Sequence, residues 1–225
     1  MRQAMRQAMR QAMRQARMRD TMKWVGMTRR LGCTAAVAVG FGLLVGACGG
    51  EDGGSARASA EADALFGTEL ASPADFALSS PNFTDGGALP ARFSCDGTEI
   101  SPALRVAGVP EGTAELSVVM DDPDAEGGTF VHWIVTGMAP TSAGLAEDLV
   151  PADASQANNS DGRPRYQGAC PPKESAAHTY RITVYALNEA TGSSLEGKAT
   201  AEALGTIAER ATAKSSLSVT YQRQS

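Results

Sequence analysis

The chain has 225 residues, with 20 Lys+Arg, 25 Asp+Glu and only two histidines, for a formal charge of −5 at pH 7. Nine of the basic residues and one of the acidic ones precede Cys48, so the chain from Cys48 onward holds 11 Lys+Arg against 24 Asp+Glu, a formal −13. Such a surface repels nucleic acid and anionic headgroups, which argues against nucleic acid as a partner and requires any anion site to be built locally.

Residues 1–16 are MRQA repeated four times. One reading is a basic amphipathic arm, with Met1, Met5, Met9 and Met13 along one side of a helix. The reading preferred here makes residues 1–21 an extension outside the functional protein, because a complete export signal follows at 22–47. Lys23, Arg29 and Arg30 are followed by the apolar run LGCTAAVAVGFGLLVGA, which is short for a membrane span. Val45-Gly46-Ala47-Cys48 resembles the bacterial lipobox, which makes Cys48 the expected lipidation site and the new N-terminus; a free cysteine in an uncleaved anchor is the alternative. The expected product is an exported lipoprotein of the cell envelope, on its periplasmic or outer face, held to the membrane only through its lipid.

Residues 48–74 are dominated by Gly, Ala, Ser and charge, and read as a flexible tether with a reach on the order of 25–30 Å. Residues 75–225 suit one domain with a single core. Its strand signals are ELSVVMDD, TFVHWIVTGM, HTYRITVYALN and SLSVTYQR, rich in Val, Ile, Thr and aromatics. Alternation puts Tyr180, Ile182, Val184 and Ala186 on one face, with His178 sharing it, and sorts Phe130, His132 and Ile134 from Val131, Trp133 and Val135. One helix is expected, ATAEALGTIAERATAK, with Ala203, Leu204, Ile207, Ala208 and Ala211 at helical spacing. Strands outnumber helices and Gly/Pro loops join them, which predicts a mainly antiparallel sheet or sandwich. Once Cys33 leaves with the signal and Cys48 takes lipid, Cys95 and Cys170 remain. They are an even pair in an oxidising compartment, either disulfide-bonded or two buried thiols.

Both histidines fall in loaded contexts. Asp121, Asp122 and Asp124 end a strand, Pro123 stiffens the turn, and a hairpin would bring His132 back beside Asp122, where a carboxylate favours the imidazolium. Gly168, Pro171 and Pro172 form a rigid loop with exposed amides, leading to His178 and Tyr180. Imidazolium, phenol and loop N–H groups are the donors that a phosphate monoester or carboxylate requires.

These motifs in order (DPDA, HW, GxCPP and HxY), spread over residues 76 to 223, resemble the phosphatidylethanolamine-binding protein (PEBP) family, and more closely its bacterial Raf kinase inhibitor-like branch of the YbhB/YbcL type. The resemblance implies a PEBP-like β-sandwich of antiparallel sheets, with a few short helices and a C-terminal helix before the last strand. It also implies an anion pocket at one end, carried over here to Asp122, Pro123, Asp124, His132, Gly168, Pro171, His178 and Tyr180. The expected guest is a small phosphorylated or carboxylated anion, and some members act by binding or inhibiting a protein partner. The sequence departs from the family pattern at Glu126, where proline is usual. It departs again in RYQGACPP through Arg165, Gln167 and Ala169, at Thr179 of HTY, and at Val106, where tryptophan is usual.

The competing function is a hydrolase using the His/Asp cluster with a metal or by acid–base catalysis. No GxSxG, HExxH or CxxC motif accompanies it, and no nucleophile is evident, so a binding protein without a cofactor is the preferred reading.

Overall fold

The computed structural model describes residues 53–223, within a compact unit spanning Cys48–Ser225. The MRQA repeat, the export signal and Cys48 lie outside the described residues.

The order of elements is α1 (Gly53–Gly67), β1 (Ala77–Ser79), β2 (Gly87–Ala88), β3 (Leu104–Ala107), β4 (Glu115–Asp122), β5 (Phe130–Met138), β6 (Gly144–Leu145), β7 (Ser155–Gln156), β8 (His178–Leu187), α2 (Thr200–Arg210) and β9 (Ala211–Tyr221), with short 3-10 turns at Ala91–Phe93 and Gly192–Leu195. A six-stranded sheet runs β2-β9-β8-β4-β5-β7 and a three-stranded sheet runs β1-β3-β6. All pairings are antiparallel except β2 with β9. The chain is thus mainly β, with two sheets and a C-terminal helix before the last strand.

Two apolar layers flank the large sheet. Leu116, Val118, Met120, Trp133, Val135, Tyr180 and Ile182 face Leu78, Leu104, Val106 and Leu145 of the small sheet. On the opposite side Val119, Val131, Ile134, Tyr185 and Leu187 meet Ala62 and Leu65 of α1 and Ala203, Leu204 and Ile207 of α2. The central strand β4 is therefore covered on both faces, which is why ELSVVMDD is buried throughout. Glu115, at its start, is 2% exposed. Its carboxylate accepts from Thr191 N (2.6 Å), Thr191 Oγ1 (2.6 Å), Gly192 N (2.9 Å) and Gly137 N (2.8 Å). Four donors on one buried carboxylate fasten the 190–192 loop to two strands.

Two expectations need correction. Residues 53–67 are not tether but a docked helix, with Ala62 and Leu65 fully buried. Its alanines favour helix, and its apolar side covers sheet surface that would otherwise meet water. Lys214 Nζ closes its end, donating to Phe66 O (2.9 Å) and Thr68 O (2.8 Å). Second, α2 ends at Arg210 and not at Lys214. From Ala211 the chain pairs along β8, and ladder hydrogen bonds override the helical propensity of Ala-Thr-Ala-Lys.

Candidate functional site

The strand period decides where each member of the Asp121-Asp122 pair goes. Asp121 faces the helix layer, where Arg181 pairs with it through both Nε (3.1 Å) and Nη2, and the guanidinium lies 4.5 Å over the Phe66 ring. Burial pushes the Asp121 carboxyl up to about 6, against the lowering effect of Arg181. Asp122 faces the other way, at the end of the sandwich. Its Oδ2 accepts from His178 Nδ1 at 2.8 Å, with both side chains nearly buried, and its Oδ1 caps the turn by accepting from Asp124 N at 2.9 Å. The Asp124 carboxylate in turn accepts from Thr179 N at 2.8 Å, so the Asp-Pro-Asp turn is tied to the start of β8.

His132 reaches the same place by a β-bulge. Met120 pairs with Trp133 and Asp121 with Val131, which leaves His132 as the extra residue of β5. The bulge turns the ring to the side of the strand that Trp133 occupies, and Val131 and Ile134 fall together in the helix layer. The simple alternation expected for this strand is thus broken at His132. Its ring packs against Phe130 (centroids 4.8 Å apart) and edge-on to Tyr180 (5.2 Å). Its Nδ1 donates to Gln167 O at 3.0 Å, leaving Nε2 as the unbonded ring nitrogen.

Asp122 holds His178, not His132 as the hairpin argument expected. Desolvation therefore dominates at His132 and lowers its pKa, with the Gln167 carbonyl and the more distant Asp122 only partly opposing it. The imidazolium expected there is disfavoured in the free protein.

The two rings wall a cavity of about 180 Å³ together with Asp122, Glu126, Phe130, Gln167 and Pro171. Of the eight residues singled out in the sequence, Asp122, His132, Pro171 and His178 line it. The other four stand behind it or at its edge. Pro123 and Asp124 shape the exposed turn. The Tyr180 hydroxyl is buried with no hydrogen bond of normal geometry, and burial beside the Asp122 charge raises its pKa. Gly168 is not an exposed donor, because it is buried and its N–H is taken by Glu99 Oε1 at 3.1 Å. A Cβ there would sit 2.8 Å from Ser94 backbone, so the position admits only glycine. Phe130 is a pocket residue not singled out from the sequence, and Glu126 and Gln167, noted there only as departures from the family pattern, line the pocket too. For Phe130 the signal was present, two residues before His132 on an aromatic strand.

The pocket loop is anchored from below by the Cys95–Cys170 disulfide, with Cα atoms 5.4 Å apart, and by Cys95 N donating to Ala169 O at 3.1 Å. Cys170 itself lines the cavity. No cluster of three or more His, Cys, Asp or Glu side chains suited to a metal ion occurs among the described residues.

A family model for phosphatidylethanolamine-binding protein matches residues 79–222, which contain both sheets' principal strands and every cavity residue. The chain belongs to the phosphatidylethanolamine-binding protein family. Among solved PEBP-related structures, CT736 of Chlamydia trachomatis is 32% identical with a TM-score of 0.61, covering 67% of this chain and 99% of its own. YbcL of E. coli, a member of the PEBP family, is 28% identical with a TM-score of 0.61, covering 67% and 100%. In sequence, the protein named "Putative lipoprotein LppC" of Mycobacterium tuberculosis is 41% identical over 167 residues, 72% of this chain and 83% of its own length.

Proposed function

We propose that this PEBP-family protein is an exported lipoprotein that holds a small phosphorylated or carboxylated anion between His132 and His178. The observation that carries the reading is convergence. The chain has two histidines in 225 residues, from strands far apart in sequence, and both line one cavity with Nδ1 fastened and Nε2 unbonded. An anion bridging two imidazole Nε2–H groups makes two charge-assisted hydrogen bonds in a site walled by Phe130 and Pro171. Asp122 fixes the His178 ring and sets a carboxylate behind it, which favours an anion of low charge over a highly charged one. The export signal, the lipobox at Cys48 and the relative named as a lipoprotein support the anchor.

Calorimetry on the chain from Cys48 with inorganic phosphate, phosphorylethanolamine and acetate tests the pocket. Saturable one-to-one binding that a His132→Phe, His178→Phe variant lacks is the expected result; equal binding by that folded variant rejects it. Incorporation of labelled palmitate that Cys48→Ser abolishes tests the anchor.

A further inference from the structure

We propose that the face of the domain around the start of α1 is a bilayer-docking surface, pressed to the headgroups of the membrane that holds the Cys48 lipid. The proposal rests on the lipid anchor proposed above and follows from chain length. With α1 beginning at Gly53, only Gly49–Asp52 separate the anchor from the folded body, and even fully extended they span at most about 17 Å. A flexible tether through residue 74 would have left the domain free to stand off the bilayer; this one keeps the start of α1 within that span of its anchor.

Nor is α1 free to swing. Ala58, Ala62 and Leu65 are buried. Ser59 Oγ donates to Thr129 O at 2.9 Å, Thr129 Oγ1 to Asp63 Oδ1 at 2.5 Å, and Arg181 stacks on Phe66. The anchor point therefore dictates which side of the domain faces lipid.

That side carries an open crevice of about 790 Å³, lined among others by Arg57, Asn159, Asp161, Thr200 and Glu202. Arg57 makes no ion pair among the described residues, and Lys198 beside the crevice pairs with Glu202 at 3.1 Å. On a domain of formal charge −13 this mixed-sign patch suits zwitterionic headgroups, whereas an anionic bilayer is repelled.

The same face shares a wall with the histidine pocket. Asn159 Nδ2 donates to Gln167 Oε1 at 3.1 Å, and the Gln167 carbonyl holds His132. Val131 N donates to Ser160 Oγ at 2.8 Å. In the loop between the cavity residues Glu126 and Phe130, a Cβ at Gly128 would lie 3.1 Å from Ser59. Ser59 is less than two turns along α1, so this loop is held within roughly 25 Å of the bilayer. The pocket is thus kept close to ligands in or near its own membrane.

The chain from Cys48 has one free thiol, because Cys95 and Cys170 are bonded to each other. Coupling Cys48 to a maleimide lipid in phosphatidylcholine nanodiscs containing a headgroup nitroxide tests the surface whether or not the cell lipidates this cysteine. Trp133 is 1% exposed and gives a constant background. Added tryptophans are read by quenching, Glu202→Trp and separately Arg57→Trp on the proposed face, and Arg105→Trp on the outer face of the small sheet. Either crevice probe is expected to be quenched several-fold more than Arg105→Trp. A spacer of about 20 Gly/Ser residues after Gly50, with a reach of roughly 25 Å, is expected to remove the difference. Equal quenching of crevice and small-sheet probes without the spacer overturns the proposal. Palmitate labelling separately reads whether the anchor reading itself holds.

Discussion

Sulfate binding to the histidine pocket is predicted to weaken as pH rises, because His132 must take up a proton that it does not hold in the free protein. Its Nδ1–H is committed to the Gln167 carbonyl at 3.0 Å, so Nε2 carries a lone pair unless protonated. Sulfate has no proton to share and requires Nε2–H. Burial holds the His132 pKa below the ordinary 6.5. Above that folded-state value, each pH unit costs about tenfold in Kd, or about 1.4 kcal/mol, for one proton taken up. The sign for stability follows the same linkage. Between the lowered folded value and 6.5 the unfolded chain binds more protons, so the His132 contribution to stability is present at higher pH and is lost as pH falls through that window. Asp121, raised to about 6, acts with the opposite sign, since its protonated form is favoured in the folded state as pH falls from 6 toward 3.8. The two act with opposite signs, so binding is the cleaner readout than melting. Calorimetry with sulfate at pH of about 5.5, 6.5 and 7.5, in two buffers of different ionisation enthalpy, is expected to show at least about tenfold weakening over the last unit and uptake of at least about one proton. A Kd constant across the range with no proton uptake refutes the reasoning.

Three further outcomes follow from the packing. Glu115→Ala leaves Thr191 N, Gly192 N and Gly137 N without their acceptor in a buried site, and chemical denaturation is expected to show a loss of about 3–5 kcal/mol; a loss below about 1 kcal/mol contradicts it. Leu65→Ala, on a helix the sequence had suggested was tether, opens a cavity against Val131, Ile134 and Leu187 and is expected to cost about 3 kcal/mol in the same assay. No change would mean that α1 does not dock in solution. Reducing Cys95–Cys170 frees a loop of 75 residues, for which chain entropy gives about 4 kcal/mol. Because Cys170 lines the pocket, reduced protein that remains folded is also expected to bind sulfate more weakly, read by the same calorimetry.

The strands β4, β5 and β8 were legible because β-branched and aromatic runs between Pro/Gly/Asp loops leave little else for the chain to form. Their bounds fell within a residue or so of those expected. The first helix was hidden by composition, since Gly, Ser and charge suggest a tether. The signal that would have revealed it is the spacing of Ala58, Ala62, Leu65 and Phe66, one face at i, i+4, i+7 and i+8. At the site, strand period was enough to put His178 with Tyr180. It could not place His132, because a bulge belongs to the pairing of two strands and not to either sequence alone. Nor could it show that Glu99 occupies the Gly168 amide, a contact between residues 69 apart in the chain.

The central claim is that one anion engages both histidines, and the imidazole signals of the chain from Cys48 test it most directly. Two histidines give two sets of ring resonances, followed by NMR while phosphate, phosphorylethanolamine or acetate is added. The account predicts that both sets move together and saturate at one equivalent, and that a folded Asp122→Ala variant, which loses the 2.8 Å hold on His178, no longer shows the coupled shift. Movement of only one ring, or saturation unchanged in Asp122→Ala, contradicts it.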